Sequence, residues 1–249
     1  VNHGTMTVND GVSVTQNGQF SSLFENGYYS YGSGNADSGY VDGINAQYPQ
    51  LTINGGTFTG GLNTIKNDDG GMLTINNGTF SNTSQSAFLN WNVATVNGGT
   101  FSSNENCVLN GGGDPAVDQG KLTINGGSFT SKQDAIAAMN NNAGYLDGVT
   151  VTGGRFSSDV SNYVADGYQI VQQGDQWVVG TLDDVAVAQI VGGEKYQTLS
   201  EAIAAAKDGD TVKLLGNAIV KERIIISSKN FTLDTNGYSV VYTGTASNK

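Results

Sequence analysis

Short bursts of alternating hydrophobic and polar residues run along the first 160 positions, and one octapeptide carries that alternation five times. It reads Leu51-Thr-Ile-Asn-Gly-Gly-Thr-Phe58, Leu73-Thr-Ile-Asn-Asn-Gly-Thr-Phe80, Ala94-Thr-Val-Asn-Gly-Gly-Thr-Phe101, Leu122-Thr-Ile-Asn-Gly-Gly-Ser-Phe129 and Val149-Thr-Val-Thr-Gly-Gly-Arg-Phe156. A weaker forerunner is Met6-Thr-Val-Asn-Asp-Gly11. The first and third positions are aliphatic and the second is polar, the period of two that marks a half-buried strand. Leu51 and Ile53 are therefore expected inside, Thr52 and Asn54 outside. The glycine pair then turns a corner. Phe58, Phe80, Phe101, Phe129 and Phe156 follow at a constant offset and predict an internal aromatic column at the strand spacing of about 4.8 Å.

The octapeptides start 22, 21, 28 and 27 residues apart, which suits a coil of three short strands with loops of variable length. A further apolar patch follows each phenylalanine, at Ile65, Ala87 to Leu89, Val108 to Leu109 and Ile136 to Met139. It predicts another strand per coil. Asn67, Asn90, Asn110 and Asn140 come next, where amides can bond turn backbone and form a ladder between coils. The fold expected is all-β, a right-handed parallel β-helix (solenoid) with one short helix in a C-terminal unit.

After Phe156 the repeat gives way to Gln169-Ile-Val-Gln-Gln-Gly-Asp-Gln-Trp-Val-Val179, which reads as a closing hairpin turning near Gly174-Asp175, with Trp177 as a core residue. Residues 1–180 are thus expected to be the β-helix body. Beyond Leu182 the repeat is gone. Thr198-Leu-Ser-Glu201 is a capping box ahead of a helix from Leu199 to Lys207, whose apolar face is Ala202, Ile203 and Ala206. Thr211 to Leu215, Arg223 to Ile226, Phe231 to Leu233 and Tyr238 to Tyr242 then read as strands at coil spacing. Residues 181–249 are expected to open a β-helix, as part of a following tandem module.

Three motifs carry a resemblance: the Leu-Thr-Ile-Asn-Gly-Gly-Thr-Phe coils, Phe156-Ser-Ser-Asp-Val-Ser-Asn-Tyr-Val-Ala-Asp-Gly-Tyr168, and Tyr196-Gln-Thr-Leu-Ser-Glu-Ala-Ile-Ala-Ala-Ala-Lys-Asp-Gly-Asp-Thr-Val-Lys-Leu-Leu215. Together they resemble a family of functionally uncharacterised cell-surface β-helix proteins of gut Firmicutes and related bacteria, similar in outline to the pectate-lyase-like superfamily. The resemblance implies an extracellular place on a bacterial surface. It also implies that the helix segment opens a β-helix and the Tyr-Val-Ala-Asp-Gly-Tyr segment closes one, so their order in this chain is inverted. The chain is therefore expected to be a window of something longer.

Composition narrows the partners. The 249 residues include 36 Gly, 2 Pro, 22 acidic and 11 basic residues, for a formal charge of -11, so binding to a phosphate backbone has no electrostatic support. Cys107, the single cysteine, cannot form an intrachain disulfide and reads as a small core residue. No run approaches the roughly 18 to 20 apolar residues of a membrane span, and because Val1 opens directly into strand-like sequence, no signal peptide is expected within these residues.

Catalytic chemistry finds little footing. A glycosidase needs two carboxyls about 5 to 10 Å apart on one face, whereas Asp68, Asp69, Glu105, Asp114, Asp118 and Asp134 fall at different coil offsets and read as solvated turn residues. The body holds Arg155 and scattered lysines such as Lys66, Lys121 and Lys132, without the acidic cluster a lyase wants beside its base. His3 has no obvious Ser, Cys or acidic partner. Asn35, Asp37 and Asp42 share a Gly-rich loop but lack calcium-loop spacing. No catalytic residue, metal ligand or cofactor is expected.

Binding is better served. The stretch Phe20 to Tyr48 holds Tyr28, Tyr29, Tyr31, Tyr40 and Tyr48 among Gly, Ser and Asn, a paratope-like mixture in which Tyr supplies contact area at low entropy cost. The same tyrosines could instead cover the solenoid flank. Trp91, between Asn90 and Asn92, is a second candidate whose indole could stack on a sugar or a protein. The function expected is a non-catalytic surface adhesin or binding module for a host glycan, mucin or host protein such as an immunoglobulin. The alternatives are a polysaccharide-active enzyme and a passive stalk.

Overall fold

In a computed structural model, described over residues 1–28, 48–112 and 120–244, the alternating segments become short strands in parallel sheets, and the protein is mostly β. The chain divides into two units, Val1–Ala165 and Asp166–Lys249.

In the first unit each full repeat gives one strand to each of three parallel sheets. The first sheet holds Thr5–Val8, Gln50–Ile53, Met72–Ile75, Val93–Val96, Lys121–Ile124 and Val149–Val151. The second holds Ser13–Gln16, Thr57–Gly60, Thr79–Asn82, Thr100–Ser103, Ser128–Ser131 and Gly154–Phe156. The third holds Phe24–Asn26, Asn63–Asn67, Ser86–Asn90, Asn106–Asn110 and Ile136–Ala138. Register follows the motif: Leu51 pairs with Leu73, Leu73 with Ala94 and Ala94 with Leu122.

The five phenylalanines pair in turn and stack with ring centroids 5.2, 4.6, 4.8 and 5.0 Å apart, all buried. The glycine pair has a divided role. Its second member, Gly56, Gly78, Gly99, Gly127 or Gly154, has φ between 104° and 135°, a region closed to side chains. A Cβ on Gly78 would also stand 2.9 Å from the Phe80 ring. The first member has no positive φ, and Asn77 stands there in the second octapeptide, although a Cβ on Gly98 or Gly126 would lie 2.8 Å from the backbone carbonyl oxygen of Asn76 or Asn97.

At the end of the first four third-sheet strands an asparagine is buried. The Nδ2 of Asn26, Asn67 and Asn90 donates to the Oδ1 of Asn67, Asn90 and Asn110, at 2.9, 3.0 and 2.9 Å, and Asn2 donates to Asn26 at 2.8 Å. Asn67 also donates to the carbonyls of Gly71 and Val93, so each amide closes a corner and joins repeats. Asn140 does not join the ladder. The strand before it stops at Ala138 and a 3-10 turn begins, so Asn110 donates to the Tyr145 carbonyl instead. A second, exposed ladder runs from Asn125 to Asn97, Asn76, Asn54 and Asn9 through amide bonds of 2.8 to 3.0 Å. Cys107 is buried, and burial pushes its thiol up to about 12.

In the second unit Gln169–Gln173 and Gln176–Gly180 pair as the antiparallel hairpin, with Trp177 half-buried. A four-residue helix, Leu182–Val185, follows with its own Thr181–Asp184 capping box. The helix Leu199–Ala205 starts at the expected box, where Thr198 and Glu201 exchange bonds of 3.1 and 3.0 Å. Its apolar face packs on Val187, Val212, Leu214 and Ala218. It ends two residues before Lys207, where the Lys229 ammonium takes up the carbonyls of Ile203, Ala204 and Ala206. Thr211–Leu214 pairs in parallel with Thr232–Asp234, and Ala218–Val220 with Val240–Tyr242. Arg223 to Ile226 is not a strand. Its isoleucines run consecutively rather than alternating, and Ile225 and Ile226 are exposed. Among the described residues no helix is long and apolar enough to cross a membrane.

Candidate functional site

The third sheet differs from the other two on its outer side. Ile65, Phe88, Val108 and Ile136 share one register row and face the core. The next row, Glu25, Lys66, Leu89, Leu109 and Ala137, faces outward by strand alternation. There Leu89, Leu109 and Trp91 form a separate buried cluster against Ala137 and Met139. Asn63–Asn67 and Ser86–Asn90 are consequently buried on both faces.

Trp91 is therefore not a projecting indole. It is 6% exposed, the Lys66 ammonium lies 3.7 Å from its ring centroid, and among the described residues its Nε1 has no hydrogen-bond partner. Lys66 also pairs with Asp68. Asp68 and Asp69 are buried, against the expectation of solvated turn residues. The cause is their position beside the doubly covered strand, where the backbone of Tyr28 also bonds Asp69 at 2.9 Å. Burial drives the Asp68 carboxyl up to about 7, against the pull of Lys66 and with help from a Glu25 hydrogen bond. Of the other acids, Asp134 is exposed and Glu105 half-buried. Asp114 and Asp118 lie outside the described residues.

A groove of about 500 Å³ opens over this cluster, lined by Phe20, Glu25, Lys66, Gln85, Trp91 and Asn140 among others. Phe20 is fully exposed. It presents an aromatic face beside carboxylate, amide and hydroxyl groups, the combination that holds a sugar ring by stacking and hydrogen bonds. The sequence marks Phe20 only as the start of the Tyr-rich stretch; the signal is a lone aromatic between Gln19 and Ser21-Ser22. A larger hollow of about 630 Å³ at Lys121, Asn142, Tyr145 and Asp147 offers no exposed aromatic.

Of the tyrosine candidates, Tyr28 is half-buried with its ring stacked on His3 at 4.4 Å. Tyr48 is exposed. Tyr29, Tyr31 and Tyr40 lie outside the described residues, as do Asn35, Asp37 and Asp42. No cluster of three or more His, Cys, Asp or Glu fit to hold a metal occurs among the described residues.

Fold and groove together define a mostly β protein of parallel repeats with an aromatic-lined groove on one outer face. No family model, curated protein or solved structure matches the chain.

Proposed function

We propose that the chain is a non-catalytic binding module of a bacterial cell surface, built on a right-handed parallel β-helix, and that it holds a host glycan, free or on a mucin or other glycoprotein, in the Phe20 groove. The single observation that supports this most is Phe20, an aromatic side chain left wholly in solvent at the rim of a groove with polar groups. A scaffold that only projected other domains gains nothing from that exposure. One observation favours the rival reading of a polysaccharide-cleaving enzyme: the Asp68 carboxyl is raised to about 7 beside Glu25, as a general acid would be. Yet Asp68 is fully buried and already engaged by Lys66, so it does not reach a glycosidic oxygen.

The test uses an array of host-type oligosaccharides together with immobilised mucin and immunoglobulin. The wild-type chain should bind glycan saturably, and Phe20→Ala should weaken that binding about tenfold, the worth of one stacked ring, with unchanged thermal stability. Absence of saturable binding, or equal binding by the variant, would reject the reading. Release of reducing ends from a polysaccharide, lost in Asp68→Asn, would favour the enzyme.

A further inference from the structure

The floor of the Phe20 groove is built from inner repeats. Asn63–Asn67 and Ser86–Asn90 each have a paired strand on both sides. Leu62, Leu89 and Trp91 line the groove from or beside those two strands, and Met139 joins them after Ile136–Ala138.

Two properties set this floor apart from the polar groups around it. It is apolar, with Leu89 and Trp91 buried and Leu62 and Met139 half-buried. It also holds a donor with nothing to bond, because the buried Trp91 indole N–H has no acceptor among the described residues. Leaving a buried donor unpaired is costly, and folded chains nearly always avoid it. Lys66 does not supply the acceptor, since its ammonium lies over the ring and can only donate.

A hydroxyl pressed into such a floor could accept from the indole, but would strand its own proton among carbon atoms. A carboxylate would bring charge to an apolar surface whose nearby cation, Lys66, is already paired with Asp68. An acetamido group meets both demands. Its carbonyl oxygen accepts from the indole without a proton of its own to satisfy, and its methyl replaces water against Leu89 and Met139. Its N–H is left for the amide oxygens that Gln85 and Asn140 bring to the same groove.

On the reading of this groove as a glycan site, we infer that it selects an N-acetylated amino sugar over the parent hexose, with the Trp91 indole donating to the acetamide carbonyl. Trp91 is thereby the residue that sets specificity, while Phe20 supplies the stacking face common to both sugars.

Nitrogen-proton NMR titration of the whole chain tests this with the methyl glycosides of N-acetylglucosamine, N-acetylgalactosamine, glucose, galactose and glucuronic acid. One N-acetyl sugar should bind about tenfold tighter than its parent hexose, roughly one hydrogen bond. The chain has two tryptophans, Trp91 and Trp177, so two indole N–H peaks report directly. The Trp91 peak should move downfield with the N-acetyl sugar and stay in place with the hexose, a readout that needs no variant. In Trp91→Phe the preference should vanish. Equal binding of the two sugars, tighter binding of the glucuronide, a Trp91 peak that stays still on saturation, or an undiminished preference in Trp91→Phe would each overturn the inference. If the chain binds glycans on an array yet shows no preference here, the selectivity alone falls; if it binds sugar in neither experiment, the glycan reading falls with it.

Discussion

Asn67 and Asn97 carry the same side chain into opposite surroundings. Asn67 is buried, donates to two carbonyls and to Asn90, and accepts from Asn26. Asn97 is exposed, and its side-chain amide bonds its ladder neighbours, Asn76 and Asn125. Truncating Asn67 strands several buried polar groups, each costing about 1 to 3 kcal/mol. Asn67→Ala should thus lose at least about 3 kcal/mol in urea unfolding, and Asn97→Ala less than about 1 kcal/mol, since water replaces its bonds. Equal losses would contradict the inner ladder's structural role. Asp68 gives a pH signature. Its carboxyl is raised from the usual 3.8 to about 7, so between those values the folded chain holds a proton the unfolded chain releases. The stability it lends is complete below about pH 4 and is lost as pH rises through about 7. Asp68→Asn should flatten that decline between about pH 4 and pH 7, measured by urea midpoints; an unchanged slope would refute the assignment. Neither behaviour can be read from residue type, because burial, not identity, separates Asn67 from Asn97 and Asp68 from Asp134.

Strands were legible wherever one face met the core and the other met water, as in Leu51 to Asn54. The third sheet was legible as strands from its apolar patches, but not in what its outer face does, because Leu89, Leu109 and Trp91 bury that side too and erase the alternation. The run of isoleucines at 224–226 resembles a strand by residue type, but Ile225 and Ile226 are exposed, and Ala218–Val220 was left unmarked. The glycine pair shows how a motif and its geometry divide. Two glycines recur in sequence, yet only the second adopts the left-handed conformation. At Gly99, with φ 106°, a Cβ would also meet the Gly78 carbonyl oxygen at 3.0 Å. Gly99→Ala should therefore destabilise by about 1 to 3 kcal/mol through backbone strain. A variant as stable as the wild type to heat and urea would show that the turn relaxes.

Across the whole molecule, the fivefold octapeptide announced repetition, and repetition gave parallel sheets with residue-level register. The groove could not be announced in that way. Phe20, Glu25, Lys66, Gln85, Trp91 and Asn140 come from four different repeats, and no local period connects residues separated by up to 120 positions. A net charge of -11 likewise constrains partners without choosing one. The exposed asparagine ladder has a consequence in chemical ageing. Asn54, Asn97 and Asn125 each precede a glycine, the pairing most prone to cyclise through the following backbone nitrogen and deamidate. Cyclisation requires the side-chain carbonyl carbon to swing toward that nitrogen, and here each amide is held by its neighbours in the column. The regularity that organises the surface thereby protects its most perishable residues. One that did convert to aspartate would lose the donor that binds it to the preceding repeat and set a new negative charge against that repeat's amide oxygen.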